Sequence, residues 1–246
     1  MPTDGVAVHP TAEPALDPEA YFLPLGYRQH SVPEYFDDVT DDGIVWQPDV
    51  YPFAAGVAAA HGCDTVIDLG CGRGGKLAAL HAEQPAWTYV GVDIGSNIAW
   101  CRDHLGFGEW LEADLETCDA LPLPDELLAR SVVICSDVLE HLVRPEVAAD
   151  LIGSMLRRGA PAAVLSTPAR ELRAGAAHPG PPRNTSHVRE WASREFRAFL
   201  ESRGLAITEQ SLTRSDDGGG GGLTTQLVLL GPAAGSAAAP ASGTVR

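Results

Sequence analysis

Two groups of residues in this chain have types and spacing that could do chemistry. The first is Asp68-Leu-Gly70-Cys71-Gly72-Arg-Gly74-Gly75, an acid followed by clustered glycines. The second is Ser136-Asp137-Val-Leu-Glu140-His141, with two further histidines, His178 and His187, downstream. Glycines let backbone come close to a ligand, and bare N–H groups at a helix start receive its polar groups. Imidazoles titrate near neutrality and can take a proton from an attacking group. Together these point to a nucleotide-type cofactor seated on the glycine turn, next to a possible general base.

The spacing admits two cofactors. Gly70, Gly72 and Gly75 satisfy Gly-x-Gly-x-x-Gly, and Asp93 follows one strand later, as in dinucleotide-binding folds. Read from the acid, the stretch is Asp68-x-Gly70-x-Gly72-x-Gly74, which resembles motif I of the class I S-adenosylmethionine (SAM)-dependent methyltransferases. A pyrophosphate has no use for a carboxylate at that point, whereas a zwitterionic amino-acid tail does.

The resemblance implies SAM as cofactor and assigns roles. Asp68 would meet the methionine ammonium, and Gly70, Cys71, Gly72 and Gly74 would line the turn. Asp93 would accept from the ribose hydroxyls, with Ile94 against the adenine. Asp114 would accept from the exocyclic amine while Leu115 packs on the ring. Ser136 and Asp137 belong to the same cofactor side. Asp137-Val-Leu-Glu140-His141 resembles the Asp-x-hydrophobic-Glu-His of small-molecule methyltransferases, which lies beside the transferring methyl. Enzymes acting on base amines or glutamine amides carry Asn/Asp-Pro-Pro-aromatic there instead. The proline-rich loop before His187-Val-Arg-Glu-Trp191 is similar to methyltransferase domains of bacterial natural-product and glycosylation pathways.

The implied function is methyl transfer to an oxygen or nitrogen of a small molecule. The alternatives are a non-catalytic SAM-binding partner protein and an NAD-dependent oxidoreductase. His141 is the first candidate base, with Glu140 placed to orient it; His187 and His178 are the others. No metal is expected, because His178 and His187 lack short ligand spacing and Asp137 and Glu140 are accounted for on the cofactor side.

These residues need a scaffold, and the chain supplies one. Its 246 residues, 45% hydrophobic and 20% charged, suit one α/β domain. Strands are expected over 66–69, 87–93, 110–115, 131–135, 162–166, 205–212 and 224–230, and helices over 49–60, 76–83, 97–105, 144–158 and 193–203, the last capped by Ser193. The expected fold is a Rossmann-like, doubly wound seven-stranded sheet, mostly parallel with a reversed last strand. Residues 169–189 read as a functional loop. The expected organisation is a disordered tail at 1–18, an aromatic lid segment at 19–48, the methyltransferase domain at 49–230 and a disordered tail at 231–246.

Net charge is −16, and Lys76 is the only lysine. No cationic track is evident, which argues against a nucleic-acid substrate. No apolar run approaches a membrane span, and no leader is apparent. Five dispersed cysteines suit reduced thiols and a cytoplasmic home. Residues 1–50 hold ten acids against Arg28 alone, while residues 170–203 hold seven arginines against four glutamates. The acceptor's identity and the oligomeric state are left open.

Overall fold

The computed structural model describes residues 42–175, 177–218 and 222–232. The N-terminal tail, the lid segment before residue 42 and all but the start of the C-terminal tail lie outside the described residues.

Seven strands form one sheet: β1 Thr65–Leu69, β2 Thr88–Asp93, β3 Glu109–Glu112, β4 Ser131–Ser136, β5 Ala162–Pro168, β6 Ile207–Arg214 and β7 Leu223–Leu230. Their order is β3-β2-β1-β4-β5-β7-β6. All neighbours pair in parallel except β7, which runs antiparallel to both β5 and β6. The helices are α1 Val50–His61, α2 Gly75–Glu83, α3 Gly95–His104, α4 Asp125–Leu128, α5 Pro145–Arg157, α6 Arg170–Arg173 and α7 Ser193–Ser202, with a 3-10 turn at Leu139–His141.

Every residue of β1 is buried, as a strand covered on both faces must be. Side chains alternate along it. Ile67 and Leu69 join a core with α4, α5 and α7, whereas Val66 packs with α1, α2 and α3. Asp68 shares the parity of Val66, so its carboxyl faces α1. Strand β1 pairs with β2 on one side and β4 on the other, so the strand order reverses there. The crevice beyond the carboxyl ends of β1 and β4 is where such sheets bind ligands.

The structure corrects several expectations. The third strand stops at Glu112 because a turn begins at Asp114, whose Oδ1 accepts the Glu116 N–H at 2.9 Å and whose carbonyl accepts the N–H groups of Thr117 and Cys118. Residues 169–189 are not loop throughout: they contain α6, and Ala169 bridges to Trp191. Helix α4 was not anticipated. Ser193 does not cap α7. Its hydroxyl and N–H both donate to Glu171 Oε1, while Glu195 Oε2 accepts the N–H of Ala192, the actual N-cap. Trp46, within the segment read as an aromatic lid, is 39% exposed and bridges to Asp216 beside the β6–β7 hairpin.

Candidate functional site

Leaving β1, the chain turns through Gly70, Gly72 and Gly74, all at positive φ. A Cβ on Gly70 would lie 2.3 Å from Val138 Cγ2, so only glycine lets this turn pass the exit of β4. The turn is tied to β2 by backbone bonds from Gly70 and Cys71 to the Val92 carbonyl. Its other tie is Asp93. Oδ2 accepts the Gly72 N–H at 2.7 Å, and Oδ1 accepts the Ile94 N–H at 2.7 Å and Asn97 Nδ2 at 2.9 Å.

Asp68, 1% exposed, lies at the base of the turn and accepts the Tyr51 hydroxyl at 2.6 Å through Oδ2. Cys71 is buried, its thiol pushed up mainly by the hydrogen bond with Cys101 and by burial, so it fills space rather than reacting. Ile94 is 38% exposed at the mouth. Asp114 is exposed, and Leu115 is buried in the core with little surface to offer a ring. Lys76 leans across the turn, its Nζ donating to Gln47 Oε1 at 3.2 Å and lying 5.4 Å from the Tyr51 ring centre. A bare-backbone cradle, a buried carboxyl, a second acid and an exposed aliphatic side chain fit an amino-acid tail, a ribose and a purine in sequence. Sequence reasoning missed Tyr51 and Asn97. The parity of Asp68 with Val66 is the signal that it faces the helix carrying Tyr51.

The other half of the site grows from β4. The Ser136 hydroxyl shares a hydrogen bond with Ser166 at 2.9 Å, and Asp137 follows at φ +50°, strained for a non-glycine residue. Both Asp137 oxygens and Glu140 Oε1 are shut from solvent without a formed hydrogen bond, while Glu140 Oε2 accepts from Thr167 at 3.0 Å. Burial raises the Asp137 carboxyl. Burial, with the Asp137 charge beside it, raises Glu140 well above the usual carboxylate range. Of the two carboxyls, Glu140 is the one pushed further toward holding a proton.

Glu140 does not hold the His141 ring as expected. His141 Nδ1 instead meets the Ser186 carbonyl at 2.9 Å. A carbonyl can only accept, so Nδ1 carries the proton and Nε2 the lone pair. Burial and the neighbouring His187 push His141 down to about 4, leaving it neutral.

The segment His187-Val188-Arg189-Glu190-Trp191 is buried throughout, and each residue has a task. The Val188 and Arg189 N–H groups donate to the Glu140 carbonyl, and the Arg189 guanidinium donates to the Leu142 and Val143 carbonyls. The Trp191 ring packs on Phe196 and Phe199. This stitching sets His187 against His141 with ring centres 4.7 Å apart. His187 Nδ1 lies 2.7 Å from Glu190 Oε1, and Nε2 lies 2.9 Å from Asn184 Nδ2. The amide is oriented by its Oδ1, which accepts the Ser186 N–H at 3.0 Å. Burial pushes Glu190 up, but the hydrogen bond from His187 and the nearby Arg173 charge outweigh it and hold the carboxyl below its usual range. His187 thus donates through Nδ1 to an ionised carboxylate and presents its lone pair at Nε2. Glu190 and Asn184 were not singled out from sequence. His178 is not part of this pair; its Nδ1 accepts the Gly180 N–H.

Sequence reasoning set a metal aside, yet the fold brings ligand atoms of Glu140, His141 and His187 within 4.8 Å of one another. Both imidazoles have Nδ1–H fixed on an oxygen, the outer-shell arrangement of metal-bound histidines. These three residues could hold a divalent cation.

A methyltransferase-domain family model matches residues 41–210. The chain belongs to that methyltransferase family. Its cofactor is S-adenosylmethionine, and the dinucleotide reading of the glycine turn falls. Among solved structures, the methyltransferase domain of a bacterial CtHen1 is 20% identical, with 74% of this chain and 96% of that one covered and a TM-score of 0.53. The small RNA methyltransferase HEN1 is 17% identical over 85% of this chain and 28% of that one, at 0.56. Human N-acetylserotonin methyltransferase in complex with SAM is 16% identical over 73% and 51%, at 0.50. At such identities the likeness is one of fold. No curated protein sequence matches the chain.

Proposed function

We propose that this methyltransferase acts on an oxygen or nitrogen of a small molecule in natural-product metabolism, with His187 as the base. The observation that carries the reading is the Glu190–His187 pair, set against His141 just beyond β4. SAM supplies a methyl group on a sulfonium, so the protein needs chiefly to hold the acceptor in line and exclude water, worth about 7–11 kcal/mol. An acceptor hydroxyl entering the site replaces the Asn184 amide as donor to His187 Nε2 and passes its proton there, an effect of about 10²–10⁴-fold. His141, the first candidate from sequence, is a poor base at a pKa of about 4 and serves better as a neutral acceptor that orients the substrate.

A neighbour named for small RNA leaves nucleic acid as a competitor, whereas a neighbour named for N-acetylserotonin favours a small acceptor. The free cysteines among the described residues, and the lack there of any helix long and apolar enough to cross a membrane, support a cytoplasmic setting.

Release of S-adenosylhomocysteine with an acceptor panel tests the reading. His187→Ala should lose about 10²-fold or more in kcat, and full turnover would remove His187 as base. A second reading is favoured by the Glu140–His141–His187 cluster, in which a bound cation lowers the acceptor pKa. Loss of turnover in chelator, restored by a divalent cation, selects it over a free imidazole base.

A further inference from the structure

Cations are scarce in this chain, with 17 Lys and Arg against 33 acids. Seven arginines nevertheless fall between residues 170 and 203, and several have structural work. Arg170 is buried against Glu195, Arg189 holds the Leu142 and Val143 carbonyls, Arg197 pairs with Glu201 and Arg203 with Asp150. Arg173 and Arg183 differ. Among the described residues neither guanidinium forms a hydrogen bond or ion pair, and both residues are exposed.

The two come together. With Ala174 and Glu190 they line a cavity of about 230 Å³. That is below the roughly 300–1,000 Å³ of sites that take a whole ligand, so it suits one group of a larger molecule. Glu190 is also the residue that holds His187 Nδ1, so the cavity adjoins the proposed base. Its lining has two guanidiniums against one carboxylate, and that carboxylate is already engaged by His187.

We infer that this cavity seats the phosphoryl group of the methyl acceptor, so that the acceptor is a small phosphate ester. The inference rests on the reading of His187 as the acceptor site. A guanidinium offers a planar fork of donors that matches phosphate oxygens two at a time, and two such forks suit a dianion. The anchor takes no part in bond making. The acceptor oxygen bonds the methyl carbon, the sulfonium S–C bond breaks with its electron pair returning to sulfur, and the hydroxyl proton goes to His187. What the arginines contribute is orientation, through binding to a part of the substrate remote from the reacting atom.

The test is calorimetric titration of inorganic phosphate, and separately of acetate, into the full chain saturated with S-adenosylhomocysteine. Wild type should bind phosphate at one saturable site, with acetate about tenfold weaker or worse. Arg173→Ala and Arg183→Ala should each weaken phosphate about tenfold, and Arg→Lys at either position should recover part of the loss. Absent phosphate binding in wild type, equal binding in the variants, or acetate binding as tightly as phosphate would each overturn the assignment. S-adenosylhomocysteine affinity should be the same in every protein. Its loss from wild type would count against the methyltransferase site itself, which separates the two failures.

Discussion

Asp68 and Glu140 are both buried acids, yet their surroundings differ. Asp68 accepts the Tyr51 hydroxyl and sits below the glycine cradle, where the proposed site would receive the cofactor's cationic tail. Asp68→Ala should weaken SAM binding about tenfold or more by calorimetry, since it removes the partner of a desolvated ammonium. An unchanged affinity in a folded variant would sink that role. Glu140 is buried with Asp137 as a like neighbour, and together these outweigh the Thr167 hydrogen bond and raise its carboxyl well above the usual range. Its folded pKa lies above the unfolded value. Between the two, the native state binds more protons than the unfolded chain, and stability falls as pH rises. Asp137 shifts in the same direction. His141, depressed to about 4, works the other way and loses its contribution as pH drops below the unfolded value near 6.5. The slopes oppose each other below about pH 6.5, and above it only the carboxyl slope survives. Glu140→Gln keeps an acceptor for Thr167 but cannot ionise. With chelator present, urea unfolding of wild type should weaken as pH rises beyond about 6.5, where the opposing His141 slope has gone, while the variant stays flatter. Parallel profiles would place the proton elsewhere.

At the scale of elements, legibility followed the reach of the contacts. The glycine turn was readable because its demands are local: Gly70 must lack a Cβ, and Asp93 is one strand away. The second histidine could be named but not placed, because nothing in the spacing from His141 to His187 says that the Val188 and Arg189 N–H groups will dock on the Glu140 carbonyl. Ser193 misled for a related reason. Its type suits a cap, but a tertiary partner, Glu171, took the hydroxyl. The elements that present this segment are held by Arg170 of α6 and Glu195 of α7, paired with Arg170 only 1% exposed. Removing Glu195 takes the carboxylate from a buried guanidinium, and breaking a buried pair in this way costs about 3–5 kcal/mol. Glu195→Ala also strips the acceptor from the Ala192 N–H. It should therefore fall at or above that range in urea denaturation, while Glu195→Gln, which keeps the acceptor, should cost less. A loss below about 1 kcal/mol would show that α6 and α7 are held by their apolar contacts alone.

Across the whole molecule, charge decides what kind of acceptor can approach. A net charge of −16 repels a polyanion at long range, and at physiological salt a field decays over about 8 Å. Arg173 and Arg183 can therefore act on one phosphoryl group that has reached their cavity, but they cannot steer a strand of phosphates toward it. A protein that grips RNA neutralises several phosphates and shows a steep salt slope, about −0.7 per phosphate for single strands. Here the expected outcome is no measurable binding of a fluorescently labelled single-stranded RNA by anisotropy at physiological salt, with little gain at low salt. Arg173→Ala should leave that result as it is, because a single contact site has no track to interrupt. Micromolar RNA binding with a slope of several phosphates would mean that cationic surface gathers around the site in a way the acidic total conceals, and the acceptor would then be a nucleic acid rather than a small ester.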